Sequence, residues 1–312
     1  MIENKRYWQI NTRSRRNFRS NRWYAFCFSF LFYFLFNFLL MMKKKIAILG
    51  STGSIGKSLL SLIQKDKKIE IVLLSANKNS NYLIQQAKKF KVKNLVITNK
   101  DSYLKLVKDK SIKNKFNIFK DFNCFKKVFK KKIDYSMSAI TGIDGLSPTL
   151  DIIKHTKNIA IANKESIICG WDLLKKELKK YNTNFIPVDS EHFSIWFDLL
   201  NNNKTNNIKK IFITASGGPF RNRKINSFKN ISIKDAINHP NWKMGKKISI
   251  DSATMVNKIF ELIEAKNIFD ISYDQLSIII HPESYIHAII EYDNGLSKII
   301  LHETDMKIPI FN

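Results

Sequence analysis

From residue 44 onward, short apolar runs alternate with stretches of helical period. Ile46-Ala47-Ile48-Leu49 is a compact apolar run of the kind that forms a parallel strand buried on both faces. It opens into Gly50-Ser51-Thr52-Gly53-Ser54-Ile55-Gly56, after which Leu59, Leu60, Leu62 and Ile63 recur at helical spacing. Ile69–Ala76 predicts a second strand, Leu95–Thr98 a third, and Tyr103–Val107 part of a helix. A strand over Ile133–Ile140, a helix over Leu146–Ile153 and a strand over Asn158–Ala162 continue the alternation. Strands interleaved with helices predict an α/β fold around a parallel sheet. The Lys- and Phe-rich stretch from Asp101 to Lys132 has no clear period, and its elements carry no assignment.

From about Phe185 the pattern changes. Strands are predicted over Phe185–Val188, Ile211–Ala215, Ile278–Pro282, Ile286–Tyr292 and Lys298–Leu301, the last two as an antiparallel edge. The fold class expected is α/β: a Rossmann-like domain over residues 43–184, then a second α/β domain with a mixed sheet over 185–312. At 312 residues with 44% hydrophobic content, the chain is long enough for both.

Residues 1–42 stand apart. A basic stretch with Arg13, Arg15, Arg16, Arg19 and Arg22 precedes Tyr24–Met42, which is uncharged, rich in Phe and Leu, and about long enough to span a bilayer. An enzyme-like start, Met42-Lys43-Lys44-Lys45-Ile46, follows with no linker. The preferred reading is upstream sequence ahead of a true start at Met41 or Met42; a signal anchor and a targeting segment are the alternatives. The expected location is therefore the bacterial cytoplasm, with a plastid or a membrane only if residues 24–42 are expressed. Cys27, Cys124 and Cys169 show no CxxC spacing and suit a reducing compartment. The net charge of +27 raises nucleic-acid binding as a rival reading. The lysines are scattered over presumed element ends, no nucleic-acid signature accompanies them, and no nucleic-acid partner is expected.

The chemistry-bearing residues fall in a few short runs. Strand, glycine turn and helix together present backbone N–H groups to a pyrophosphate. At the end of the second strand, Asn77-Lys78-Asn79 replaces the acid that an NAD site would carry, which favours a 2′-phosphate and NADP. Asn163-Lys164-Glu165, just past a strand end, belongs beside the cofactor. Asp189 and Glu191, at i and i+2, share a face if the segment is extended. Asn257, Lys258 and Glu261 fall within one helical turn. Three carboxylates suit a hard divalent cation, and Ser252, Asn257 and Lys258 suit a phosphate. Ser216-Gly217-Gly218 ends a strand where a backbone can approach a ligand, and His239–Gly245, with Trp242, reads as a lid. His281 and His287 read as structural, His155 and His302 as surface residues, and Trp171 and Trp196 as core.

In order, Gly50–Gly56, Asn163–Ser166, Pro187–His192, Ser216–Phe220, His239–Lys258 and His281–His287 resemble the motifs of 1-deoxy-D-xylulose 5-phosphate reductoisomerases, over residues 43–312. The resemblance implies NADPH- and Mg²⁺- or Mn²⁺-dependent conversion of that phosphorylated sugar to 2-C-methyl-D-erythritol 4-phosphate in non-mevalonate isoprenoid synthesis. It implies metal ligation by Asp189, Glu191 and Glu261, with Lys164 also catalytic. Thr52, Gly53, Ser54, Ile55, Asn77, Lys78, Asn79, Asn163, Glu165 and Gly245 would line the NADPH site. Lys164, Ser190, Glu191, Ser216, His239, Ser252, Asn257, Lys258 and Glu261 would hold the substrate, with Trp242 above them. It also implies a homodimer joined through the catalytic sheet near Ile278–Ile290.

Four departures stand out. Ile259-Phe260 replaces the family's Gly-Leu and is expected to crowd Glu261. Phe193 follows the Pro187–His192 motif where a small residue or Asn is usual, and Asn77 stands where Gly or Ala is common. Family members also continue into a C-terminal helical domain that is absent from this sequence, so exposed apolar surface and poor solubility are expected. An inactive, membrane-anchored NADP-binding fragment is the alternative function.

Overall fold

The computed structural model describes residues 43–202, 207–239, 242 and 245–311; the apolar run Tyr24–Met42 and the loop positions 240–241 and 243–244 lie outside them. Among the described residues no helix is long and apolar enough to cross a membrane. Residues Lys44–Asn312 form one compact unit.

β1 (Lys44–Leu49) enters the glycine turn and α1 (Ser54–Ile63), and β2 (Ile69–Ala76) with α2 (Ser80–Phe90) repeats the unit. β3 (Asn94–Ile97) and α3 (Lys100–Lys108) follow. The stretch without a period resolves into α4 (Lys110–Lys113), β4 (Asn117–Phe119) and α5 (Phe125–Val128), pieces too short to register one. β5 (Ile133–Ser138), α6 (Leu146–Ile153), β6 (Thr156–Ile161), α7 (Lys164–Tyr181) and β7 (Asn184–Pro187) complete a seven-stranded parallel sheet. Its order is β4-β3-β2-β1-β5-β6-β7. The order reverses between β1 and β5, the switch point at which open α/β sheets take ligands.

Both faces of this sheet are covered, which is why its strands read as unbroken apolar runs. Ile46 and Ile48 pack on one side with Leu59, Leu83 and Ile97. Ala47 and Leu49 pack on the other with Leu73, Ile152, Ile159 and Leu174.

Next come α8 (Ser190–Asn202), β8 (Ile208–Ala215), α9 (Ile233–Ile237), α10 (Lys246–Ala253) and α11 (Val256–Phe269). β9 (Leu276–Ile280), β10 (Ile286–Tyr292) and β11 (Ser297–Leu301) join β8 in a mixed sheet of order β11-β10-β8-β9. β8 runs parallel to β9 and antiparallel to β10, and β11 is an antiparallel edge as expected. Ile211, Ile213, Ala288 and Ile290 pack against Ile195 of α8 and Ala265 and Phe269 of α11. α12 (Lys307–Phe311) then returns the chain to the first half, where Met306 and Ile310 join the core beneath β1.

Two histidines are less exposed than expected. His155 is half-buried against Phe125 and Phe129, with ring centroids 6.0 and 5.7 Å away. His302 stacks on His287 at 3.7 Å. Both rings sit against aromatic neighbours contributed by distant segments, a contact no local pattern reveals. Trp171 packs edge-on against Phe185 at 5.4 Å, and Trp196 is partly buried on the second sheet's core.

Candidate active site

The carboxylates are positioned by a strand end and two helices. β7 stops at Pro187, Val188 anchors in the core at 1% exposure, and the chain bends at Asp189 into α8. Asp189 and Glu191 therefore straddle a helix start rather than alternate along an extended segment. Ser190 and Glu191 lie in the helix's first turn, where the dipole favours an acid. Glu261 projects from α11, and carboxylate oxygens of Asp189, Glu191 and Glu261 all lie within 4.8 Å of one another. These residues, with Lys164, Ser216 and Lys258, line a cleft with a cavity of ≈ 170 Å³.

Two lysines hold the acids together. Lys258 Nζ lies 2.7 Å from Glu191 Oε1 and 2.5 Å from Glu261 Oε2. Lys164, at the N-terminus of α7, pairs closely with Asp189 and lies 3.2 Å from Glu261 Oε1. Burial alone would raise the Glu191 carboxyl, yet the adjacent Lys258 ammonium and His287 hold it well below the usual carboxylate range. Burial would lower Lys258, and its two carboxylate partners outweigh that and hold it above the ordinary lysine value. Asn257 donates from Nδ2 to Glu261, while its buried Oδ1 has no hydrogen-bond partner among the described residues. Oxygen donors on a buried carboxylate trio suit a hard divalent cation.

Behind this trio lies a layer that the sequence motifs did not single out. His192 is fully buried and its Nε2 donates to the Glu261 carbonyl at 2.9 Å, which makes Nε2 the protonated nitrogen of the neutral ring. Burial and the Lys164 charge push its pKa down to about 3. Nδ1 faces Glu264 Oε2 at 3.8 Å, and burial, opposed by Lys164, raises Glu264 to about 7. Glu264 sits one turn beyond Glu261 on α11, and that i, i+3 spacing is the signal that would have found it. His287, read from sequence as structural, also lines the cleft. Burial, partly offset by Glu191, lowers it to about 4, and Trp242 meets its ring edge-on at 6.1 Å.

The same side of the cleft also carries neutral donors. The Trp242 N–H donates to His239 Nδ1 at 3.0 Å, leaving His239 Nε2 as the donor to Ser216 Oγ at 3.0 Å. Ser216 Oγ also accepts from the Gly218 N–H at 3.2 Å, so its own proton can turn to the cleft. Ser190, Ser252 and Asn257 line the same space. Ile259 is 51% exposed and points away, so the expected crowding of Glu261 does not occur. Phe193 is buried at 4% and packs with Trp196 and Phe197 outside the cleft.

Of the expected cofactor residues, Ser54, Ile55 and Gly245 line the cleft. Thr52 and Gly53 lie in the turn itself, and Asn77, Lys78 and Asn79 lie past the end of β2, outside the cleft lining. The turn is tight: Gly50 has φ +81°, and an added Cβ would meet the Ala139 carbonyl at 2.5 Å. Asn163 is 3% exposed and engaged within the protein. It accepts from Ser166 N at the start of α7 and donates to the carbonyls of Ile140 and Gly142. Glu165 instead pairs with Lys247 at 2.5 Å; that charge, with the peptide N–H groups, outweighs burial and keeps Glu165 below the ordinary value.

Comparisons with known proteins point to one family. Residues 46–170 match the family described as 1-deoxy-D-xylulose 5-phosphate reductoisomerase, and residues 185–269 match that enzyme's C-terminal domain family. The reductoisomerase of Pelagibacter ubique is 63% identical over 273 residues, covering 86% of this chain and 70% of the relative. A crystal structure of the reductoisomerase with NADPH, fosmidomycin and magnesium superposes with a TM-score of 0.78 at 37% identity, covering 86% of this chain and 68% of that one. The Zymomonas mobilis enzyme in complex with NADPH gives 0.75 at 34% identity, covering 86% and 69%. The chain belongs to the 1-deoxy-D-xylulose 5-phosphate reductoisomerase family and is an enzyme of the oxidoreductase class.

Proposed function

We propose that this chain converts 1-deoxy-D-xylulose 5-phosphate, NADPH and a proton to 2-C-methyl-D-erythritol 4-phosphate and NADP⁺, with Mg²⁺ or Mn²⁺, in isoprenoid precursor synthesis. The observation that carries this reading is the convergence of Asp189, Glu191 and Glu261 with Lys164 and Lys258 on one cleft at the end of a dinucleotide-type sheet. NADPH and magnesium accompany the solved relative of highest overlap quoted above.

When bound, the cation supplies Lewis acidity for the carbon-skeleton rearrangement and the nicotinamide supplies the hydride. Asp189, Glu191 and Glu261 hold the cation. Lys164 Nζ, beside Asp189 and Glu261, stabilises developing oxygen charge or moves a proton at the reacting oxygens. Ser216, Ser252, Asn257, Lys258 and His239 hold the sugar phosphate, with hydroxyl and amide groups as neutral donors and Lys258 as the cationic one. Ser190 donates to Glu191 and keeps that carboxylate aimed at the trio. Trp242 covers the site and excludes water. Thr52–Ile55 would hold the pyrophosphate and Asn77–Asn79 the 2′-phosphate, and Asn163, Glu165 and Gly245 would line the rest of the NADPH site.

The same reading places a homodimer contact on the outer face of the second sheet. There Phe212, Ile289 and Ile299 stand in register, and Ile279, Ile299 and Leu301 are exposed. The deciding experiment follows NADPH oxidation by absorbance with the sugar phosphate and Mn²⁺. Metal-dependent turnover is expected, and a folded chain that binds metal and NADPH without consuming NADPH would refute the assignment.

A further inference from the structure

Beneath the glycine turn lies a buried amide that belongs to none of the motifs. Gln86, on α2, is 5% exposed. Its Nε2 donates to the Ser51 carbonyl at 2.9 Å, and its Oε1 accepts from Ser51 Oγ at 2.8 Å. Ser51 is fully buried, and its N–H donates to the Ser75 carbonyl at 2.9 Å. The Gly50 N–H donates to Ser75 Oγ, also at 2.9 Å. The Ser51 peptide groups are thus committed on both sides, to β2 through Ser75 and to α2 through Gln86. Thr52–Ile55 follow with no intervening residue.

The other end of the same helix is the cap residue Asn79, whose side chain accepts from the Tyr82 N–H. One 11-residue helix therefore carries the end of the Asn77–Asn79 run and, two turns on, the clamp on the turn. A Leu or Met at position 86 would fill the volume. An amide with both ends bonded to one residue contributes geometry instead, because the Ser51 carbonyl can only accept and so fixes which end of the amide faces it.

We infer that Gln86 is a positioning residue for the dinucleotide. It holds the Ser51 peptide so that the amides of Thr52–Ile55 face the pyrophosphate, and it couples that turn to the 2′-phosphate end of the site at Asn77–Asn79. The inference rests on the NADPH reading proposed above. Its test uses the 312-residue chain and two variants. Gln86→Met keeps the length without the hydrogen bonds, and Gln86→Glu sets a second acceptor against the Ser51 carbonyl. NADPH affinity is read by fluorescence titration and adenosine 2′,5′-bisphosphate affinity by calorimetry, beside Mn²⁺ affinity and Tm.

The expected result is about a tenfold rise in both nucleotide dissociation constants for Gln86→Met and a larger one for Gln86→Glu. The KM for NADPH rises with them, while kcat at saturating NADPH and Mn²⁺ affinity stay within about twofold of the parent. Folded variants with a lower Tm but parental nucleotide affinity would overturn the inference, leaving Gln86 a stabilising residue only. If the Gln86 variants do not fold, Ser51→Ala removes the hydroxyl's bond to Gln86 along with its 3.2 Å contact to the Ser75 carbonyl; about a threefold rise in the NADPH dissociation constant supports the inference and no rise overturns it. A parent chain that binds no NADPH would refute the proposed function itself, and the inference with it.

Discussion

The two walls of the cleft solve the same problem, holding an anionic ligand, with opposite materials. The cofactor wall has a neutral backing: behind the cleft lining, Ser51, Ser75, Gln86 and Asn163 bond to backbone and to one another around a glycine turn. The catalytic wall is built from charge, with Lys164, Lys258, Asp189, Glu191, Glu261 and Glu264 packed together. A neutral scaffold closes its hydrogen bonds internally and recognises shape. The charged one keeps buried polar atoms without hydrogen-bond partners among the described residues (His192 Nδ1, Asn257 Oδ1 and Glu264 Oε2), which leaves hydrogen-bonding capacity for what enters.

The sharpest way to break the charged wall is Asp189→Asn. Turnover is expected to fall by at least about a hundredfold, with Mn²⁺ affinity falling in step and NADPH affinity unchanged. Steady-state kinetics beside metal titration would show it, and retained metal affinity would dissociate Asp189 from the site. Lys258→Met leaves Glu191 and Glu261 facing each other without their cation. Urea unfolding of the metal-free protein should show a loss of about 3–5 kcal/mol, part of it recovered on adding Mn²⁺. A loss indifferent to metal would mean that the pair is ordinary packing.

The neutral wall fails differently. Gly50→Ala adds a Cβ at φ +81° against the Ala139 carbonyl, costing about 1–2 kcal/mol in backbone conformation alone. NADPH affinity should drop and Mn²⁺ affinity should not. Equal losses in both would erase the distinction between the walls. The smallest effect is a control remote from the cleft. Burial and the neighbouring Lys154 hold His155 below the ordinary histidine value. As pH falls through about 6.5, the unfolded chain takes up that proton before the folded one, so stability declines on acidification. In His155→Phe that part of the decline should vanish from pH-dependent melts without altering NADPH or Mn²⁺ binding.

Much of the neutral wall was legible because its signals are local. Ile46–Leu49, the glycine turn and the helix beyond it read directly from period and spacing. The carboxylate trio was legible as residue types, since Asp189, Glu191 and Glu261 each lie in a recognisable run. Its geometry was not, because whether Asp189 and Glu191 alternate or straddle a bend depends on where β7 stops against β6. His192, Glu264 and His287 were passed over for a similar reason. Each faces the site only after distant segments pack, and a histidine in Ile286–Tyr292 looks the same whether its face meets core or cleft. Gln86 lies on a polar-looking helix, and its burial follows from Ser51 arriving from another strand.

The pairing of Lys258 with Glu191 and Glu261 bears on how the protein meets its metal supply. Many small metal-binding domains collapse when the ion leaves, so that loading and folding are a single event. Here an internal ammonium already balances two of the three carboxylates. On the proposed reading, release of the cation leaves the fold intact, and one cation can replace another by exchange, without a round of unfolding, as cellular Mg²⁺ and Mn²⁺ rise and fall.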